Sequence, residues 1–390
     1  MRWLGLPADG IVVNVPDGLN DPIPMEAAEV LPWLAVDKVL APPIRDRARR
    51  VSGRYVGVGA TVRLDVDGES PLLHISGTLP DGRSLDEPLE RVGVVQHGAA
   101  TWWVYSGPSV EVGARVDGDH LRLATAAGTH ELDRVSTGFR DLTVDVHFQE
   151  DVEYPLEVAT AVDGEPAPRT VDLARMLGRA GVSAQVRASP IRVDPGLDPN
   201  ADGWDDIELH DAMVRQWEAA DAGAGWRMFL LAADSHVSGP SIGGRMFDGP
   251  DAADDPLQRQ GAALFSSALM FDPTFAHIPG TPKTVQQGRF FRLFVALHEI
   301  GHVFDLDHPW DRNGADDPWR PTGNDREAHT WMNYAWSRSE AFHQSFAFEY
   351  DQAELRFLRH APDDKVRMGG RRWSSDSSAA SVEPFRRRLT

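Results

Sequence analysis

Cysteine is absent from the 390 residues, which excludes disulfides, thiolate metal ligands and a cysteine-based latency switch. Long apolar runs are missing too, and no stretch approaches the ~18 residues that mark a membrane-crossing helix. The opening Met1-Arg2-Trp3-Leu4-Gly5-Leu6-Pro7 lacks a basic region followed by an apolar core. No cleavable secretory signal is therefore expected, and the chain reads as cytoplasmic or exported by a route without one. Positive charge is in deficit, with 39 Lys and Arg against 59 Asp and Glu and a net charge of −20. A surface of that sign repels polyanions, which argues against nucleic acid and anionic membrane as partners. The remaining composition, 42% hydrophobic and 25% charged, is that expected of a soluble globular chain of one to three domains.

Two textures divide what is present. Residues 1–50 are Pro-rich, with one candidate short helix near Met25 to Val30. Short alternating segments then recur: Tyr55–Val58, Thr61–Val66, Leu72–Ile75, Val92–Val95, Thr101–Tyr105, Val110–Val112, Leu121–Leu123 and His130–Leu132. Asp-Gly pairs at 67–68, 81–82 and 117–118 are hairpin signals, so this part reads as an antiparallel β sandwich or small barrel. From about Asp141 helices and strands mix. Strands are expected at Thr143–Phe148, Ser183–Ala188, Trp226–Ala233, Ile242–Phe247 and Ala262–Met270. Helices are expected at Val171–Ala180, capped by Thr170, at Asp206–Ala220, and at Tyr350–His360. The chain is thus α+β, with a β-rich domain at 1–138, a second domain at 139–370 and a flexible Ser- and Arg-rich tail at 371–390.

Chemistry concentrates in His298-Glu299-Ile300-Gly301-His302-Val303-Phe304-Asp305-Leu306-Asp307-His308. The run before it, Gly288 to Leu297, is apolar over most of its surface, as in a buried helix starting after Thr284 and ending at Phe304. On that helix His298 and His302 lie one turn apart on one face and can share an ion, with His308 as a third ligand. Glu299 sits about 100° round the helix, placed to take a proton from a metal-activated water instead of binding the metal. Three protein ligands leave a fourth position open, the arrangement of one catalytic zinc.

This spacing resembles the metzincin clan of zinc metallopeptidases, whose long motif is HExxHxxGxxH, and within it the serralysins, without their glycine-rich repeats. The resemblance implies a twisted mixed sheet with an antiparallel edge strand, a zinc helix, a Met-turn and a C-terminal helix. Asp305 stands where the motif has glycine, at the turn ending the helix; Asp tolerates positive φ better than most residues. Thr330-Trp331-Met332-Asn333-Tyr334 resembles the Met-turn, which makes Met332 the floor under the histidines and Tyr334 a second donor to the oxyanion. The implied activity is that of a zinc-dependent endopeptidase acting on a protein or peptide held extended along the edge strand, in 242–247 or 262–265. A non-hydrolytic binding module on the same fold and a zinc hydrolase of a non-peptide amide are the alternatives. The β-rich domain is then either an accessory domain or a latency device.

Weaker candidates remain. Asp198, Asn200, Asp202 and Asp206 resemble the front of a calcium loop, but Leu209 stands where its glutamate belongs. An Asx-rich turn with Asp206 as helix N-cap is the competing reading. Trp102 and Trp103 suit a core or interface better than a glycan-binding face. His329 and His343 read as surface groups or supports of the metal ligands.

Overall fold

The computed structural model describes residues 47–368, apart from 80–81, 98–99, 108–109, 127, 151, 161–168, 188–191, 194–202, 217–225, 248–258, 273–284 and 313–316. The candidate helix near residue 25, the cap Thr284, the calcium candidates Asp198, Asn200 and Asp202, and the tail at 371–390 lie outside them. The described chain is mixed α+β.

Eight antiparallel strands come first: β1 (Gly53–Gly57), β2 (Ala60–Asp65), β3 (His74–Thr78), β4 (Ser84–His97), β5 (Ala100–Ser106), β6 (Glu111–Asp117), β7 (His120–Thr125) and β8 (Gly128–Ser136). Each pairs with the next and β8 closes on β1, so the sheet is a barrel and not a sandwich. Period-2 alternation supplies its filling: in β7 Leu121 and Leu123 point inward while His120 and Arg122 face out. Tyr55, Leu64, Ile75, Leu89, Tyr105 and Val112 complete the interior. Only some of the Asp-Gly signals work as hairpins. Asp117 pairs with His120 across a two-residue turn, whereas Asp67 sits in the longer β2–β3 connection. There its carboxylate accepts from the backbone N–H groups of Arg50, Val51 and Ser52.

A second sheet follows, built from β9 (Arg140–Gln149), β12 (Val182–Arg187), β14 (Arg227–Ala233), β15 (Gly244–Phe247) and β16 (Gly261–Phe265). Its order is β12-β9-β14-β16-β15, parallel throughout except for β15, which runs antiparallel at the edge. The short β13 (Arg192–Val193) extends beside β9, and β10 (Glu157–Thr160) and β11 (Arg169–Asp172) form a separate ribbon. Val171 therefore belongs to a strand, and helix α1 (Leu173–Ala180) starts two residues later than its apolar pattern suggests. Asp172, not Thr170, caps it by accepting from the Arg175 N–H.

The sheet's two faces carry different cores. Val144, Val146, Leu230 and Leu264 pack toward the long helix α3 (Val285–Val303). Phe229, Leu231, Phe247 and Phe265 form a second cluster with Leu209 and Met213 of α2 (Asp206–Gln216). Asp205, with Glu208 reciprocating, caps α2, leaving Asp206 free to pair with Arg245 of β15 through two hydrogen bonds of 2.6 and 2.8 Å. Burial opposes ionisation of Asp206, but hydrogen bonds from His236 and Arg245 pull its pKa down to about 2. Asp206 thus pairs with Arg245 and is not the N-cap of the helix. Helices α4 (Glu340–Ser345), α5 (Gln352–His360) and α6 (Asp363–Val366) close the chain.

Barrel and second sheet meet at the carboxyl ends of α1 and α5. Helix ends leave carbonyls without intrahelical donors, and here arginines supply them. Arg49 donates to the carbonyls of Gly178 and Arg179, and Arg359 to those of Ala180 and Arg179. Arg359 also meets the buried Asp65 of β2 at 2.9 Å. His360 Nδ1 lies 2.9 Å from Ser76 Oγ of β3, and Asp363 joins Arg63 to Arg140.

Candidate metal centre

The centre is assembled where α3 stops. Helical backbone ends at Val303, one residue before the expected Phe304, and Asp305 takes the left-handed conformation with φ 71°. Its N–H bonds the His302 carbonyl at 2.9 Å and the Leu306 N–H bonds the Gly301 carbonyl at 3.0 Å, the paired closure of a Schellman motif. Asp305 thus performs the turn for which glycine is usual, at a cost for a non-glycine residue of about 1 kcal/mol. The turn also points the Leu306 carbonyl back at His302 Nδ1, 2.8 Å away, and returns the chain toward the helix so that His308 arrives beside it.

His298, His302 and His308 do come together, and all three are buried. His298 Nδ1 is 3.0 Å from the Trp331 carbonyl, and His302 Nδ1 2.8 Å from that of Leu306. A carbonyl only accepts, so each Nδ1 carries the proton and each Nε2 presents a lone pair. The Nε2 atoms converge: His298 Nε2 lies 3.1 Å from His302 Nε2 and 3.2 Å from His308 Nε2. Tetrahedral zinc with Zn–N bonds of about 2.0–2.1 Å sets its nitrogens about 3.3–3.4 Å apart, so the triad fits such an ion. Burial pushes His298 down to about 4 and the other two well below the usual range, which keeps the lone pairs available.

Glu299 is equally buried and reaches the other wall. Its Oε2 accepts the Met246 N–H of edge strand β15 at 2.7 Å. In the β15–β16 register Arg245 and Phe247 sit opposite Ala263 and Gly261 and the Gly243 carbonyl binds the Phe265 N–H, so Met246 turns its N–H to the free edge. Gly244 is required here: a Cβ on it would stand 2.7 Å from Glu299 Cγ and 2.6 Å from Val295. Burial raises the Glu299 carboxyl to about 8, making it a proton acceptor of unusual strength for a carboxylate.

Met332 packs against the helix at Gly301. A Cβ on Gly301 would come within 2.1 Å of its sulfur, so that glycine is what admits the floor. The turn carrying Met332 is pinned from behind, because the Thr330 hydroxyl accepts the Met332 N–H at 3.2 Å and donates to the buried Glu354 of α5. Arg312 binds the same Glu354 and Asp351. Tyr334 places its ring 5.4 Å from that of His298 and 5.1 Å from that of His308, and burial raises its hydroxyl above the ordinary value.

Several contributors carry no motif in the sequence. Trp310 stacks on His308 with ring centroids 4.6 Å apart and planes within 6°, and stands edge-on to Tyr334. Arg320 binds both Asp305 and Asp307. Glu354 and Arg312 act from outside the centre. Only proximity to His308 could have flagged Trp310. His343 is neither a surface group nor a support of the ligands: it is buried against Phe290, Phe291 and Phe342, and burial drops it to about 4. His329 is exposed beside Ser345. Trp102 and Trp103 are half-buried on the barrel, with Trp103 against its core.

A buried set of three imidazoles with an adjacent carboxylate and an edge strand can bind a divalent cation and move a proton beside it. Compared with known proteins, the chain matches no family model, no curated protein and no solved structure.

Proposed function

We propose that the chain is a zinc-dependent endopeptidase of the metzincin type. The observation that carries this reading is the approach of His302 Nε2 and His308 Nε2 to His298 Nε2, at 3.1 and 3.2 Å, with Glu299 buried beside them against the edge strand. Supporting it are the position of Met332 under Gly301, the left-handed Asp305, and a parallel sheet whose one antiparallel strand lies at the edge next to α3. His298, His302 and His308 would hold the ion, and zinc there would polarise the substrate carbonyl and lower the pKa of a water from about 15.7 toward neutrality.

The chain's own groups do the rest. Glu299, held through Oε2 by the Met246 N–H, accepts the proton of the attacking water and passes it to the departing amine nitrogen. Tyr334 directs its hydroxyl toward the carbonyl oxygen as negative charge develops there. Free-edge backbone groups of β15 align an extended substrate, whose pairing competes with Glu299 for the Met246 N–H. The barrel, tied to α5 through the buried Asp65–Arg359 pair, serves as a fixed accessory domain and not as a removable latency device.

The test is incubation of the zinc-loaded full-length chain with an unbiased peptide library. Cleavage at internal peptide bonds, lost on chelation, is expected. Hydrolysis confined to non-peptide amides moves the chain to the other hydrolase class, and metal binding without any hydrolysis makes it a binding module.

A further inference from the structure

We infer that Arg320 is a positioning residue for the metal centre, holding Asp305 in its left-handed turn and thereby delivering His308 and the Leu306 carbonyl to the triad. The inference rests on the metal reading of the three histidines and not on peptide hydrolysis. Asp305 and Asp307 are both buried, one residue apart, and grip one guanidinium: Nη2 binds Asp305, and Nη1 lies 3.0 Å from Asp307 Oδ2. Leu306, between them, is fixed at both ends by its N–H on Gly301 and its carbonyl on His302 Nδ1. His308 is the next residue after Asp307, so the clamp closes directly on the segment that carries the third ligand.

The clamp is itself anchored away from the triad. Arg320 N–H bonds the Asp317 carbonyl at 3.2 Å, and the Asp317 carboxylate accepts from the Trp319 N–H at 3.0 Å and from Lys365 at 2.6 Å. Trp319 is buried. A position with φ 71° is one that glycine fills without help, and a β-carbon-bearing residue holds it only when its surroundings over-determine it. The ion pair provides that over-determination.

Charge neutralisation is the rival explanation, and it predicts the opposite sign. Removing a cation near the triad makes the neighbourhood more negative and tightens binding of a metal cation; removing a clamp loosens it. The experiment measures zinc affinity by competition with a chromophoric chelator, with circular dichroism of the metal-free proteins as a control for folding. Arg320→Met is expected to weaken zinc binding at least tenfold, and Arg320→Lys, which keeps one contact, by less. The triple variant Asp305→Gly, Asp307→Asn, Arg320→Met needs no clamp and carries no buried carboxylate there, so it should bind within threefold of wild type. A folded Arg320→Met protein that binds zinc as tightly as wild type, or more tightly, overturns the inference. Should that variant fail to fold, the triple variant decides: wild-type affinity upholds the clamp, and tenfold weaker binding or loss of fold overturns it. Wild-type protein that takes up no metal overturns the metal centre itself, a result distinct from any difference confined to the variants.

Discussion

His360 and the triad are equally deep, yet their surroundings differ in kind. His360 Nδ1 meets a hydroxyl at 2.9 Å, and its Nε2 faces Asp65 at 3.5 Å, a long electrostatic contact beside the Asp65–Arg359 pair. Around the triad the Nδ1 atoms of His298 and His302 also find protein partners, but the Nε2 atoms find each other. Converging lone pairs repel unless a proton or a cation lies between them, and burial disfavours the proton. The junction pairs its charges within the chain; the triad turns its acceptors on one point, where a cation could be held. A buried cluster whose charges pair off marks architecture, whereas one whose acceptors face a common point marks a ligand.

That contrast is broken most directly at Glu299. Glu299→Gln keeps the side chain's shape and its contact with Met246, so zinc content should stay at one per chain while kcat falls about 10²–10⁴-fold. Turnover within a few fold of wild type in a zinc-loaded Glu299→Gln protein would remove the residue as the base.

At the junction the expected effect is on stability. Arg359→Met strands the buried Asp65 carboxylate and takes the arginine donor from the Ala180 carbonyl, which should cost about 3–5 kcal/mol of unfolding free energy. Zinc affinity measured on the folded fraction should be unchanged. If zinc binding drops with stability, the two regions are coupled and the division between architecture and site does not hold.

How legible each region was in the sequence follows from the same difference. The triad spans His298 to His308, so helical spacing alone places two of its ligands, and Asp305 is readable as a left-handed turn because Asp tolerates it. Barrel strands were legible as alternation, since each Leu and Val of β6 and β7 faces inward by period 2. Closure of β8 onto β1 was not, because alternation describes one strand's faces and says nothing about its distant neighbour. The Asp65–Arg359 pair joins residues 294 apart, and Arg312, Arg320 and Glu354 act across loops; no local period records such contacts. At α1 the pattern misled by two residues because Val171 is buried by strand pairing with Val158 and not by a helix.

Acid tests the junction next. His360 is held near pKa 4, chiefly by burial, below its unfolded value of about 6.5, so the unfolded chain binds the extra proton and stability falls as pH drops from 6.5 toward 4. The full shift corresponds to about 3 kcal/mol. Asp65 is held below its usual range, with Arg359 and His360 outweighing burial, and its contribution persists until pH falls below about 3.9. His360→Asn should flatten the first part of that curve in denaturant titrations at pH 7, 5.5 and 4.5. An unchanged slope between pH 6.5 and 4.5 in the variant would mean that other groups set the acid sensitivity.

The smallest effect is expected at Tyr334, where the question is whether an aromatic beside the triad belongs to the site or to its packing. Its ring is wedged among His298, His308 and Trp310, at 5.4, 5.1 and 4.8 Å between centroids, and Tyr334→Phe preserves all three contacts. Only the hydroxyl is lost, so zinc affinity and thermal stability should stay within error of wild type. If the hydroxyl donates to the developing oxyanion, its loss is felt in the transition state and not in the bound substrate, and kcat should fall about tenfold or more with little change in KM. If it does not, kinetics will be equal and Tyr334 joins Trp310 as packing on His308. A rise in KM at constant kcat would instead place the hydroxyl on the bound substrate, making Tyr334 part of the recognition surface that begins at β15.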